Sequence, residues 1–264
     1  MDNGRNGSPR RRILTWGGHD FTSGPADRAV RDHMLSLVEE PRPRVCLLPT
    51  ASGDPAEQIR RFYNAFANGE CEPSDLSLFR LARRPVALRD HLLAQDLICV
   101  GGGSMVNLLA VWEAHEIGAM LALAWKQGVV LAGQSAGALC WTEAGITRSS
   151  GRPLPAAGLG LLPGSLCVHY HQDPPRRAAY LAAVGNGMPG GYALDDYAGL
   201  LWEGDQVVAA LSARRGARAF QVHAAGARVI ETPVAATALR PAHVDRTPSE
   251  ISEFRRLARA GWLG

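Results

Sequence analysis

Val129-Val130-Leu131-Ala132-Gly133-Gln134-Ser135-Ala136-Gly137-Ala138-Leu139-Cys140-Trp141 decides the fold. Four apolar residues with no polar alternation read as a strand buried on both faces. The strand stops at Gly133, and an apolar helical run begins at Ala136. Between them lies Gly133-Gln134-Ser135-Ala136-Gly137, a G-x-S-x-G pattern. In a strand–turn–helix context this is a nucleophile elbow. A serine on so sharp a turn takes a strained backbone, and small neighbours let the turn close. The bland alternative is a tight turn with serine capping the helix. The context favours the elbow.

Working outward, the same punctuation recurs. Ile13–Trp16 stops at Gly17-Gly18, Val45–Leu48 at Pro49, and Leu97–Val100 at Gly101-Gly102-Gly103. Leu76–Phe79 reads as a further strand. Helical spacing occupies residues 25–39, 55–68 and the stretch carrying Leu108, Leu109, Trp112 and Ile117. Short buried strands separated by helices predict an α/β fold: a doubly wound, mostly parallel sheet with helices on both faces. Tyr192–Leu194, Gly199–Trp202, Gln206–Ala210 and Ala219–Val222 predict a small antiparallel extension in the C-terminal half. Thr247-Pro248-Ser249-Glu250 is a capping box opening a helix with Ile251, Phe254 and Leu257 inward. No linker divides the chain, so residues 1–12 are expected to be a basic, disordered arm and residues 13–264 a single domain.

The chain has 264 residues, 46% hydrophobic and 20% charged, with a net charge of +3. Arg5, Arg10, Arg11 and Arg12 against Asp2 account for all of that charge, which leaves the folded body neutral. Nucleic-acid binding needs a basic face, so it is not expected. No run approaches the roughly 20 apolar residues of a membrane span, and no apolar signal segment precedes the first strand. The five cysteines form no CxxC pair, and four lie in apolar runs. A reducing, cytoplasmic setting without structural zinc fits them.

Gly101-Gly102-Gly103-Ser104 ends a strand at the sheet edge where Ser135 emerges. Val106 stands where a dinucleotide fingerprint needs its third glycine, and no P-loop lysine follows. Bare N–H groups there can face a carbonyl oxygen. The amides of Gly102, Gly103 and Ala136 are the candidate oxyanion hole. Ser104 can cap the following helix in any case. A serine nucleophile needs a base, and eight histidines are available. The residues alone allow His169 or His171, two positions apart in a strand-like segment. His19, after Gly17-Gly18, is a candidate for lining the cleft.

Together these pieces resemble peptidase family S51, the peptidase E group of the glutamine-amidotransferase-like superfamily. Trp16-Gly17-Gly18, Leu47–Ser52, Asp96–Gly103, Gly133–Ala138, Leu166–Tyr170, Tyr192–Asp196 and Trp202-Glu203-Gly204 carry the likeness, in order, through most of the chain. The resemblance implies a cytoplasmic serine hydrolase without cofactor or metal, acting on a small peptide with an N-terminal or β-linked aspartyl residue. A homodimer is compatible with it. It selects His169 as base. Peptidase E has an aspartate after the serine, but Glu143–Ser150 contains none. Cyanophycinase-like members place an acid after the histidine, which implies Asp196, with Asp195 and Glu143 as alternatives. Arg176 and Arg177 occupy the region where aspartyl dipeptidases hold the substrate carboxylate, and His171 is grouped with them as a substrate-binding residue. Two other readings stand beside this one. An α/β-hydrolase esterase would use His223 or His243. A non-catalytic binding protein could keep the fold alone.

Overall fold

The computed structural model describes residues 9–19, 24–66 and 69–240. Chain order begins β1 (Arg12–Trp16), α1 (Gly24–Ser36), β2 (Arg44–Leu48), α2 (Ala56–Phe66), β3 (Glu72–Asp75), α3 (Leu88–Leu93) and β4 (Leu97–Val100). It continues through α4 (Met105–Ala114), α5 (Ile117–Lys126), β5 (Val130–Gln134), α6 (Ala136–Leu139), β6 (Thr142–Thr147), β7 (Leu154–Ala157) and β8 (Leu162–Val168). It ends with α7 (Pro174–Gly185), β9 (Gly191–Leu194), β10 (Ala198–Glu203), β11 (Gln206–Ser212), β12 (Ala219–Ala225), β13 (Arg228–Val234) and β14 (Ala236–Ala238).

Two sheets form. The eight-stranded one runs β14-β11-β10-β1-β5-β4-β2-β3. Its β1, β5, β4, β2 and β3 are mutually parallel, and β10 and β11 add antiparallel strands beside β1. This is the expected α/β plan with its antiparallel extension. The six-stranded sheet, β13-β12-β9-β8-β6-β7, is mixed. Of the strands expected in that extension, Tyr192–Leu194 and Ala219–Val222 stand here instead, as β9 and β12, while β6 and β13 are half polar and β7 is interrupted by Pro155.

Side-chain alternation explains the layering. On β1, Leu14 and Trp16 pack with Val30 and Met34 of α1 and with Ile59, Phe62 and Phe66 of α2. Ile13, on the other face, joins Leu131, Trp112 of α4 and Leu121 of α5. The same cluster takes in Leu166 and Val168 of β8 and Leu194 of β9, so one core welds the two sheets. The outer face of the second sheet buries Cys167, Ala193 and Phe220 under Tyr180 and Val184 of α7. All five cysteines are buried and free. Burial pushes the Cys46 thiol up to about 12, as expected of a small hydrophobe.

Three local expectations change. Leu76–Phe79 is not the third strand: β3 is the polar Glu72–Asp75, and Leu78–Arg80 forms a 3-10 turn. An edge strand needs no apolar face and tolerates Pro73, while Leu76 and Leu78 reach the core from the turn. The helix through Leu108 and Ile117 is two, α4 and α5, meeting at 90° where Glu116 has φ +55°. The basic arm ends earlier than residue 12. Arg12 begins β1 and is buried. Its guanidinium donates to the Leu37 carbonyl and pairs with Glu203 at 3.3 Å, and Arg11 lies 4.9 Å above the Trp125 ring. The capping box at Thr247 falls outside the described residues. Among the described residues no single helix is long and apolar enough to cross a membrane.

Arg12→Ala leaves the buried Leu37 carbonyl without its donor and the exposed Glu203 carboxylate without its partner. It should cost about 2 kcal/mol, the scale of a lost charge-assisted bond in a buried site. The denaturant midpoint measures this, and Arg12→Lys should recover part of the loss.

Candidate active site

The carboxyl ends of β1, β4 and β5 in one sheet meet those of β8 and β9 in the other. Ser135 follows β5 with φ +50° and ψ −114°, a conformation few side chains adopt. The glycines around it are explained by contact. A Cβ on Gly133 would lie 1.9 Å from the Gly137 carbonyl oxygen, and one on Gly137 would lie 2.5 Å from that of Val100. Only hydrogen fits at either place. The Ser135 amide donates to the Trp16 carbonyl at 3.0 Å, which ties the turn to β1. The helical run behind it is a single turn, α6, so its macrodipole is slight. What it offers is the amide of Ala136, its first residue, which has no intrahelical partner.

His169 follows β8, also with positive φ, +55°. Its Nε2 lies 2.8 Å from Ser135 Oγ, and its Nδ1 lies 2.5 Å from Asp196 Oδ1. A carboxylate only accepts, so Nδ1–H donates to Asp196 and the Ser135 hydroxyl donates to Nε2. Burial alone would raise the Asp196 carboxyl. The hydrogen bond and charge of His169, with smaller help from His19 and Arg176, outweigh it and hold that carboxyl below its ordinary value. Gln172 Oε1 accepts from the Asp196 amide at 2.9 Å, which fixes the turn. Gly18 closes the back of the pair: a Cβ there would stand 2.0 Å from Asp196 Oδ1 and 2.6 Å from His169 Nδ1.

The alternative acids go elsewhere. Asp195 Oδ1 takes Nδ1–H of His171 at 2.6 Å and the His171 amide at 3.2 Å, and its Oδ2 takes the Arg218 amide. Glu143 accepts from the Gly164 amide at 3.0 Å. His171 therefore belongs to a second His–carboxylate pair, T-stacked on Tyr170. His223 is exposed on β12, and His243 lies outside the described residues. Gly102 lies against the serine, its would-be Cβ 3.3 Å from Ser135 Cβ, and Gly103, at φ +144°, runs under the Ala51 carbonyl. Neither amide has a backbone partner among the described residues. Ser104 caps α4 as expected, accepting from the Asn107 amide.

The two expected substrate arginines need correction. Arg176 is 8% exposed. Its guanidinium turns inward, donating to the Val168 carbonyl at 3.3 Å and pairing with Asp173 at 3.2 Å. Arg177 has its fork on Glu231, at 2.6 and 3.1 Å. Both brace α7 against the second sheet. Sequence reading missed Tyr197, whose hydroxyl shares a 2.6 Å hydrogen bond with His19 Nε2 beneath stacked rings. It also missed the buried Gln134 amide, whose Nε2 lies beside Gly102. Among the described residues no group of three or more His, Cys, Asp or Glu is arranged to hold a metal.

A hydroxyl, an imidazole and a carboxylate in sequence at the carboxyl ends of parallel strands is the layout of a serine hydrolase. Comparison with known proteins narrows the class. The family model of peptidase family S51 matches residues 13–210. "Uncharacterized peptidase YgaJ" of Bacillus subtilis (strain 168) is 40% identical over 225 residues, covering 85% of this chain and 97% of that protein. The chain belongs to peptidase family S51, and it is a serine peptidase. Two solved structures share the fold at 15% identity. One is a peptidase from an acI-B1 Actinobacterium, with a TM-score of 0.63 over 87% of this chain and 96% of that one. The other is a putative peptidase E protein from Listeria monocytogenes EGD-e, with 0.56 over 77% and 98%.

Gly18→Ala should separate His169 from Asp196 without touching either. Circular dichroism should stay native while serine labelling by a fluorophosphonate slows by about 100-fold, the scale of a lost acid–base arrangement. Labelling at the wild-type rate would show that the pair does not depend on this contact.

Proposed function

We propose that the enzyme cleaves small peptides carrying an N-terminal or β-linked aspartyl residue, with Ser135 as nucleophile, His169 as general base and acid, and Asp196 as its orienting carboxylate. The observation that carries this reading is the unbroken pair of short contacts from Ser135 Oγ through the His169 ring to Asp196. The aspartyl preference rests on the likeness to peptidase E.

In this mechanism Ser135 Oγ attacks the peptide carbonyl as its proton passes to His169 Nε2. The oxyanion that forms lies toward the amides of Ala136, Gly102 and Gly103, donors already aimed and without backbone partners. His169 then gives its proton to the leaving amine, and the peptide bond breaks to leave an acyl-enzyme. A water attacks with His169 again as base, which releases the acid and restores the serine. Asp196 remains ionised throughout: it fixes the tautomer whose free nitrogen faces Ser135 and stabilises the imidazolium. The same reading assigns the enzyme to the reducing cytoplasm, where its free thiols persist.

Ser135→Ala and His169→Ala should each abolish turnover of aspartyl dipeptides with the fold intact, because these groups act as a unit. Asp196→Asn should lower kcat about 10²- to 10⁴-fold with little change in KM, since its interaction strengthens in the transition state. Asp195→Asn and Glu143→Gln should stay within a few-fold of wild type. Collapse of either, with Asp196→Asn active, would reassign the acid. The lowered Asp196 value fixes the pH behaviour. The ionised pair is fully present above the ordinary aspartate range near ~4 and is lost only as pH falls through the depressed value. The Asp196 carboxyl should therefore contribute no proton to the kcat/KM profile above the ordinary aspartate range near ~4.

A further inference from the structure

Six described non-glycine residues have positive φ: His19, Asp54, Glu116, Ser135, His169 and Tyr197. Ser135 and His169 belong to the site already described. His19 and Tyr197 flank it, one residue beyond Gly18 and one beyond Asp196. Strained backbone of this kind persists where the surroundings force it, and it concentrates at ligand sites. Here it turns two rings face to face, with centroids 4.0 Å apart.

The loop joining β11 to β12 closes over this pair. It contains Arg214, Arg215 and Arg218. Both of its ends are fastened to the turn that bears the acid. The Ala213 amide donates to the Tyr197 carbonyl at 2.9 Å, the Asp195 amide donates to the Arg218 carbonyl at 3.0 Å, and the Arg218 amide donates to Asp195 Oδ2 at 3.2 Å. Arg218 has a carboxylate partner in Asp195, at 3.6 Å. Arg214 is different. It is exposed, its guanidinium stands 5.2 Å above the Tyr197 ring, and it has no carboxylate within ion-pair distance among the described residues. A planar guanidinium held on an aromatic face keeps its N–H edge outward and pre-oriented, the arrangement that receives a carboxylate through two parallel hydrogen bonds.

We propose that Arg214, carried on the Tyr197–His19 ring pair, is the group that receives the substrate's carboxylate. The proposal deepens the peptidase reading and rests on it. It replaces Arg176 and Arg177, whose forks are occupied, with an arginine held one residue away from the turn that positions His169. The carboxylate is either the aspartyl side chain or the C-terminus of a short peptide; the chemistry of capture is the same.

The test is equilibrium binding, which does not depend on turnover. Ser135→Ala protein is titrated calorimetrically with Asp-Leu, Asn-Leu and Asp-Leu-amide, with and without Arg214→Gln. Loss of a charge-assisted fork should raise Kd for Asp-Leu roughly 10- to 100-fold. Arg214→Lys, which keeps the charge but not the planar stack, should fall between. If Asn-Leu is the weak binder whose Kd Arg214→Gln leaves unchanged, the side-chain carboxylate is the one held; if Asp-Leu-amide behaves so, it is the C-terminal one. Failure to bind any of the three, or Kd values for all three that Arg214→Gln changes less than twofold, overturns the proposal. Fluorophosphonate labelling of Ser135 in otherwise wild-type protein judges the peptidase reading separately. A wild-type serine that stays unlabelled would sink the hydrolase chemistry and leave the binding result to decide Arg214.

Discussion

The contact between Gly137 and the Val100 carbonyl, with its counterpart between Gly133 and the Gly137 carbonyl, is the constraint on which the site depends. Both positions lack room for a single methyl group. Because they close so tightly, the chain reverses direction within one residue, and that residue is Ser135, at a φ its side chain alone would avoid. Its amide then reaches Trp16 of β1, so three neighbouring strand ends are locked together at the serine. The strain is local. The surrounding strands, buried on both faces, hold it in place.

That first sheet supplies the hydroxyl but not the imidazole beside it. His169 and Asp196 come from the second sheet, from the ends of the parallel neighbours β8 and β9. The shared core of Leu131, Leu166, Val168 and Leu194 joins the two sheets, and the 2.8 Å contact of Ser135 Oγ with His169 Nε2 spans them. Parallel pairing also explains why two His–carboxylate pairs arise side by side. Past the last ladder residues, His169 takes Asp196 and His171 takes Asp195. The first pair meets the serine. The second, with its acid almost wholly buried, fastens the backbone of the β8–α7 turn and the β11–β12 loop.

Much of this was legible because it depends on short-range rules. Continuous apolar runs ending in glycine or proline identified β1, β2, β4 and β5, and the elbow followed from Gly133 to Gly137. The order of motifs, taken as a family resemblance, selected His169 and then Asp196, which the structure brings to one hydrogen-bonded row. The division into two sheets was hidden because Tyr192–Leu194 and Ala219–Val222 read as strands without telling which sheet they join, and the exposed β7 and β13 carried no signal of their own. The third strand was misread because a 3-10 turn can bury Leu76 and Leu78 as well as a strand can. Arginines were the least legible. Nothing in the string Pro174-Pro175-Arg176-Arg177 tells which fork meets a carboxylate of the protein and which is left for a ligand, since Asp173 is near in sequence but Glu231 is a domain's width away.

The distribution of carboxylates resolves that last point physically. Asp173 lies between Arg148 and Arg176, Glu231 holds Arg177 together with the Tyr170 hydroxyl, and Asp195 holds His171 and Arg218. These three acids are thus already neutralised by bases of the fold, while Glu143 of β6 takes the Gly164 amide. Asp196 is instead hydrogen-bonded to the His169 imidazole, and among the described residues no guanidinium pairs with it. A guanidinium bound to Asp196 would compete for the oxygen that Nδ1–H uses and weaken its hold on the tautomer. The fold keeps Arg148, Arg176, Arg177 and Arg218 off Asp196 by giving them other acids, and Arg214 stands instead on the Tyr197 ring, 5.2 Å from its centroid.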